Sequence, residues 1–185
     1  MPVDGETVDY LDISALGDRS VGKLTTINGA DAPGRARRIV SAGDVVWSMV
    51  RPNRRAHALL VNPGATWIAS TGLAVLTPKS VSAALLFEAV STREFSDYLV
   101  SQEGGAAYPA VKPKDFEAAI MLVPPPELDR RFDATVACQH QLIWNLRNQS
   151  AQLAGMRDLL LPKLVVGQIG VSSLNLETLL DGSVT

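Results

Sequence analysis

The chain has 185 residues, 46% of them hydrophobic and 19% charged, with a formal net charge of −2. That balance suits a soluble globular protein with one real core plus an appendage, rather than two full domains. No apolar run approaches the ~20 residues of a membrane span, and the acidic start MPVDGETVDY lacks the basic-then-apolar layout of a signal peptide. A cytoplasmic protein with no membrane contact is expected. The single cysteine, Cys138, excludes an internal disulfide and a thiolate cluster, and two histidines, His57 and His140, argue against a zinc site, so no metal is expected.

Residues 1–36 place short apolar pieces, LDISAL and KLTTI, among Asp, Gly, Ala and Pro, and read as loops with short irregular elements. From 39 to 76 the pattern is β. SAGD (41–44) is a turn, VVWSMV (45–50) a buried strand, RPNRR (51–55) a break and AHALLV (56–61) a second strand. NPG (62–64) is a turn, and residues 66–78 hold one or two more strands around Gly72, so that the segment curls into a compact sheet. Residues 80–102 read as one helix, or as two short ones broken near Ser91-Thr92, with Ser80 or Ser82 as N-cap and EGG (103–105) as the stop. VKPKDFE (111–117) is a loop with a helical turn. AIMLV (119–123) is a final short strand that PPP (124–126) ends, because proline cannot donate to a sheet ladder.

Residues 127–161 contain no proline and one glycine, Gly155, and predict a long helix, roughly 50 Å at ~1.5 Å per residue. A heptad places Phe132, Gln139, Leu146, Leu153 and Leu160 at a, and Leu128, Thr135, Leu142, Gln149 and Met156 at d. Seven of these ten are apolar, which describes a coiled-coil seam with polar interruptions. A rod of that length overhangs a domain of about 125 residues, so Leu128, Phe132, Leu142, Leu146, Leu153, Met156 and Leu160 need a partner outside it. The tail from 166 on is weakly apolar, with Ser and Gly.

The even net charge hides a local bias. Between Arg19 and Arg55 stand eight cations (Arg19, Lys23, Arg35, Arg37, Arg38, Arg51, Arg54, Arg55) against Asp31 and Asp44, which is 8 − 2 = +6; the remainder is −2 − 6 = −8. Arginine's planar fork meets phosphate, or the O6/N7 edge of guanine, with two hydrogen bonds, and an asparagine such as Asn53 can pair with adenine. Lys112 and Lys114 add a second basic loop beside Tyr108. Scattered arginines on a soluble domain commonly pair with surface carboxylates and only aid solubility. Three guanidiniums on the one turn 51–55 instead favour an anion nearby. The pattern points to a duplex-binding face made by Arg35, Arg37, Arg38, Arg51, Asn53, Arg54, Arg55, Lys112 and Lys114.

Catalytic arrangements are not found in the sequence. Ser48, Ser70 and Thr71 lack a G-x-S-x-G setting, and neither histidine has an acid partner nearby in sequence. There is no P-loop and no G-x-G-x-x-G after a strand. His57 reads as a core or surface histidine, Cys138 as a packed thiol, and Trp47 and Trp67 as core.

An ordered series of short elements then resembles the specificity subunit of Type I restriction–modification systems, across residues about 9 to 168. AGDVVWSMVRP (42–52) is similar to the family's "GDv" strand with its basic turn, and ASTGLAVLTP (69–78) to its "s.gf.vl.p" element. SDYL (96–99), GGAAYPAVKPKDF (104–116), IMLVPPPELDRRF (120–132) and LLLPKLVVGQI (159–169) follow in the family's order. PPPELDRR lacks the Gln that usually follows PP. The family carries two target domains and two spacer helices where this chain has one of each, and the usual opening segment of the target domain is not seen. A half-subunit, a split-gene product and an expressed piece all remain open.

The resemblance implies an α+β chain: a compact target-recognition domain at 1–126 with a curled β-sheet and flanking helices, a long coiled-coil-forming helix at 127–165, and a tail at 166–185. It implies a non-catalytic subunit that binds double-stranded DNA and reads half of a split site, with the helix setting the distance to the other half. Expected partners are the modification subunits, which bind S-adenosylmethionine, the restriction subunit, and a second copy or half-subunit packed along the helix. No cofactor is expected in this chain. The rival reading is a truncated subunit that docks to the modification subunit through its helix alone.

Overall fold

The computed structural model describes residues 6–103 and 109–169. The chain divides into two compact units, residues 1–141 and 142–185, and the boundary falls within the last helix.

The described residues of the first unit carry nine strands. They are β1 Thr7–Leu11, β2 Leu16–Gly17, β3 Ser20–Val21, β4 Thr25–Asn28, β5 Ala36–Ile39, β6 Val45–Ser48, β7 His57–Leu59, β8 Trp67–Ser70 and β9 Leu73–Leu76. They form a four-stranded sheet β4-β1-β8-β5, a two-stranded β2-β3 hairpin and a three-stranded sheet β7-β6-β9. β1 runs antiparallel to β4 and parallel to β8. β6 pairs antiparallel with both β7 and β9. All four residues of β6 are buried: Val46 faces one apolar cluster with Leu11, Leu60, Ala69 and Leu73, and Val45 and Trp47 face another with Phe87, Val90, Leu99 and Phe116. A strand covered on both faces reads as a continuous apolar run, which is why 45–50 is plain in the sequence.

The β-structure of the domain is divided among three sheets, and β8 and β9 belong to different ones, joined through Thr71-Gly72. A Cβ at Gly72 would lie 2.9 Å from Ile13 Cδ1, so the glycine lets the turn pass close to the neighbouring segment. The segment before residue 36 is more regular than expected, since β1 is an inner strand of the largest sheet. AIMLV at 119–123, expected as a strand, joins no sheet among the described residues, and Ile120 and Leu122 are 99% and 88% exposed.

Other elements match the reading. The SAGD turn closes with Asp44 N–H donating to the Ser41 carbonyl at 3.1 Å, and Gly43 sits at φ 89°. The buried Asp44 carboxylate accepts from Ser41 N–H at 2.8 Å and from the Thr77 hydroxyl at 2.7 Å. The helical segment is two helices, α1 Ala83–Val90 and α2 Arg93–Ser101, capped by the Ser82 and Thr92 hydroxyls. α2 ends with Gln102 as C-cap; the expected stop at Gly104-Gly105 lies outside the described residues, as does Tyr108. α3 spans Pro113–Glu117. α4 spans Pro126–Val165, with Pro162 inside it and Gly167 at φ 69° just beyond its end.

Within the first unit, the start of α4 is pinned to α1. Asp129 accepts from Ser82 N–H at 2.8 Å and from its hydroxyl at 2.6 Å. His140 Nε2 lies 3.1 Å from Glu88 Oε1. Glu88 also receives both Arg19 terminal nitrogens, at 3.1 and 2.6 Å, and the Arg19 guanidinium lies 4.4 Å from the centroid of the Phe87 ring.

Candidate nucleic-acid interface

The basic turns converge because the strand ends that carry them are tied by backbone hydrogen bonds. Thr71 N–H donates to the Arg35 carbonyl at 2.8 Å, which joins the start of β5 to the β8–β9 turn. Met49 N–H donates to the Gly72 carbonyl at 3.0 Å, joining that turn to the end of β6. Arg51 N–H donates to the Pro109 carbonyl and Val111 N–H to the Met49 carbonyl, both at 2.9 Å, so the loop with Lys112 and Lys114 lies against the RPNRR turn. Arg35–Arg38, Arg51–Arg55 and Lys112–Lys114 thus share one rim of the sheets.

Arg35, Arg37, Asn53, Arg54, Lys112 and Lys114 are exposed there, and Arg38, Arg51 and Arg55 are half-buried. Arg37 Nε donates to the Gly34 carbonyl at 2.6 Å. The Lys112 backbone N–H donates to Asp115 Oδ2 at 2.7 Å, which starts α3. Arg93, which the sequence reading did not single out, is exposed at the first position of α2; that helix touches the turn where the Ser96 hydroxyl donates to the Pro52 carbonyl at 3.2 Å. Its only signal in the sequence is a cation placed just after the break at Ser91-Thr92.

Arg55 differs from its neighbours. The expectation of an outward surface side chain is corrected: its Nη2 donates to the Ser91 carbonyl at 2.7 Å, at the end of α1. Arg51 and Arg55 both adopt left-handed backbone, φ 52° and 54°, on either side of the 3-10 turn Pro52–Arg54. Next to Arg55, His57 is fully buried and stacks on Trp47 with centroids 4.2 Å apart. Burial holds the His57 imidazole below its usual pKa, against the opposing pull of the Arg55 carbonyl and Asp18. His140 is lowered as well, by burial against the raising effect of Glu88.

The residues expected to form the helix seam lie on a largely exposed α4. In the first unit Leu128 is exposed and Phe132 half-buried. In the second unit Leu142, Leu146, Leu153, Met156 and Leu160 are all exposed, Leu153 at 65%. Ile143, Leu159 and Leu164 are exposed too. They flank the a and d positions, so the apolar stripe is wider than a strict heptad selects. Elsewhere in the first unit, β9, α1, α2 and residues 116–122 line an open apolar groove of about 880 Å³, which none of the expected DNA-contacting residues lines. No helix among the described residues is long and apolar enough to cross a membrane.

No protein-family model matches the sequence, and no curated protein matches it. Solved structures do. The HsdS subunit from Thermoanaerobacter tengcongensis aligns over 84% of this chain and 41% of its own length, at 28% identity and a TM-score of 0.62. A chain from work on the structural basis of complex assembly and conformational transition of the type I R-M system aligns over 92% of this chain and 45% of its own, at 25% identity and a TM-score of 0.63. The chain therefore spans under half the length of each. Its α+β domain and following long helix are similar to type I HsdS specificity subunits over most of the chain, as the ordered motifs of the sequence imply.

Proposed function

We propose that this chain reads double-stranded DNA as a specificity component of a type I restriction–modification complex, recognising one part of a split site. The observation that carries the reading is the convergence of three basic segments, separate in sequence, onto one rim of a fold similar to HsdS. Exposed Arg54, Arg35, Arg37, Lys112 and Lys114 are suited to phosphate or guanine, and Asn53 to adenine. Arg38 and Arg51 stand behind them, half-buried. The chain's part is binding without catalysis. The methyl donor, S-adenosylmethionine, would be held by the modification subunits, and restriction would belong to a further subunit, all of them cytoplasmic.

The exposed stripe from Leu142 to Leu160 supports a partner along α4: a second copy of the chain, a second half-subunit or the modification subunit. Selection from a pool of random duplexes at physiological salt, with and without a cognate modification subunit, tests the reading. Enrichment of a short motif, or of two copies at fixed separation, is expected. Retention of no DNA in either condition would refute it and leave a module that docks through its helix alone.

A further inference from the structure

The turn that presents Arg51, Asn53 and Arg54 is held in a backbone conformation that its own residues disfavour. Arg51 and Arg55 sit at φ 52° and 54°, a region where an L side chain crowds the following carbonyl. Glycine at either place would reverse the chain without that strain. Strained non-glycine positions persist when surrounding contacts over-determine them, and they cluster at functional sites.

Three contacts do so at Arg55. Its N–H donates to the Pro52 carbonyl at 2.9 Å, and its guanidinium Nη2 donates to the Ser91 carbonyl at 2.7 Å. Its own carbonyl lies 2.6 Å from His57 Nδ1. A carbonyl only accepts, so Nδ1 carries the proton and Nε2 is the acceptor. The Ser91 hydroxyl, 2.9 Å from Nε2, is therefore the donor. Ser91 thus grips the turn twice, through its carbonyl on Arg55 and through its hydroxyl on the ring bonded to Arg55. Stacking on Trp47 covers one face of that ring. The charged groups facing His57 are Asp18, 3.8 Å from Nδ1, with Arg19 and Arg55, and burial keeps the ring in the neutral form this pattern needs.

We propose that Arg55, His57 and Ser91 form a positioning lock that sets the turn Arg51–Arg54 for DNA, with Arg55 acting through the backbone rather than on nucleic acid. The proposal rests on the DNA-reading function above.

The test uses the full chain with its modification subunit and a labelled duplex carrying the motif that the selection enriches. Ser91→Ala removes the hydroxyl and leaves the carbonyl. It is expected to weaken binding by about tenfold, since an unpaired buried acceptor loosens the ring that holds the turn. It is also expected to speed amide exchange at Arg54 and Arg55. Ser91→Thr keeps the hydroxyl and should restore both. Ser91→Cys, a weaker donor, should fall between and serves if the alanine variant does not fold. Leu73→Val, buried in the other core cluster, controls for lost stability and should bind as wild type does. Wild-type affinity in Ser91→Ala and Ser91→Cys, or a threonine variant as weak as the alanine one, would overturn the lock while leaving DNA reading intact. A wild-type chain that retains no duplex would overturn the reading and the lock together.

Discussion

Arg54→Ala gives the cleanest measure of the basic rim, and its effect can be worked from exposure. The exposed cations on the rim are Arg35, Arg37, Arg54, Arg93, Lys112 and Lys114. If each neutralises one phosphate, log K falls against log salt with a slope of about −0.9 × 6, or roughly −5. Between 50 and 200 mM salt that is roughly a thousand-fold loss of affinity. Removing Arg54 should bring the slope to about −4.5 and weaken binding most at low salt. Its exposed side chain makes no hydrogen bond or ion pair among the described residues, so stability should change by no more than ~0.5 kcal/mol. Arg55→Ala should behave otherwise. It loses the bond to Ser91 at a half-buried site, a cost of about 1–3 kcal/mol, and its melting temperature should fall by several degrees. Anisotropy titrations across salt concentrations, with thermal melts of both variants, check this. An Arg54→Ala protein with wild-type affinity and slope would refute the rim, and an Arg55→Ala protein that melts like wild type would refute the inward assignment.

Leu146→Glu combined with Leu153→Glu should abolish self-association or docking in sedimentation while the recognition domain keeps its melting transition, because both side chains are exposed; an unchanged sedimentation profile would refute the seam. Stability should fall as pH drops below about 6.5, because the unfolded chain then takes protons that the buried His57 and His140 resist. Well above that pH neither histidine adds a slope, since both are then neutral in both states. His57→Gln should flatten the decline between pH 7 and pH 5.5 in a series of thermal melts; an equally steep decline would remove His57 from the account.

How much of this was legible in the sequence follows from where each side chain's partners lie. β6 and the break between α1 and α2 could be read because burial on both faces and hydroxyl caps leave local signatures. β1 could not, because its partner β8 is more than fifty residues away and its Asp9 carries no apolar alternation. That carboxylate is instead met by the hydroxyls of Thr26 and Thr66, at 2.7 and 2.8 Å. AIMLV reads as a strand by composition, yet it pairs with no strand among the described residues. The concentration of arginines was visible as a count, but a count carries no direction. Arg54 and Arg55 are adjacent and identical in charge, and only the buried His57 and the end of α1 decide that one points out and the other in.

That decision gives α1 a particular place in the first unit. Its N-cap Ser82 holds Asp129 of α4, its Glu88 holds Arg19 and faces His140, and the residue after its end, Ser91, holds Arg55 and His57. One short helix therefore takes polar contacts both from the turn that reads DNA in our proposal and from the base of α4. Glu88→Ala tests the half of this that concerns α4. Glu88 and Arg19 are each about a third exposed, so the cost in stability should be modest, about 1 kcal/mol. The sharper readout is His140. The Glu88 carboxylate raises its pKa against the burial that lowers it, so the variant should move the His140 titration further down, away from 6.5, when followed by NMR. A titration that stays in place would mean that the 3.1 Å approach of Glu88 to His140 does not persist in solution, and that α1 and α4 are held by Asp129 and by the edge-on packing of Phe87 against His140.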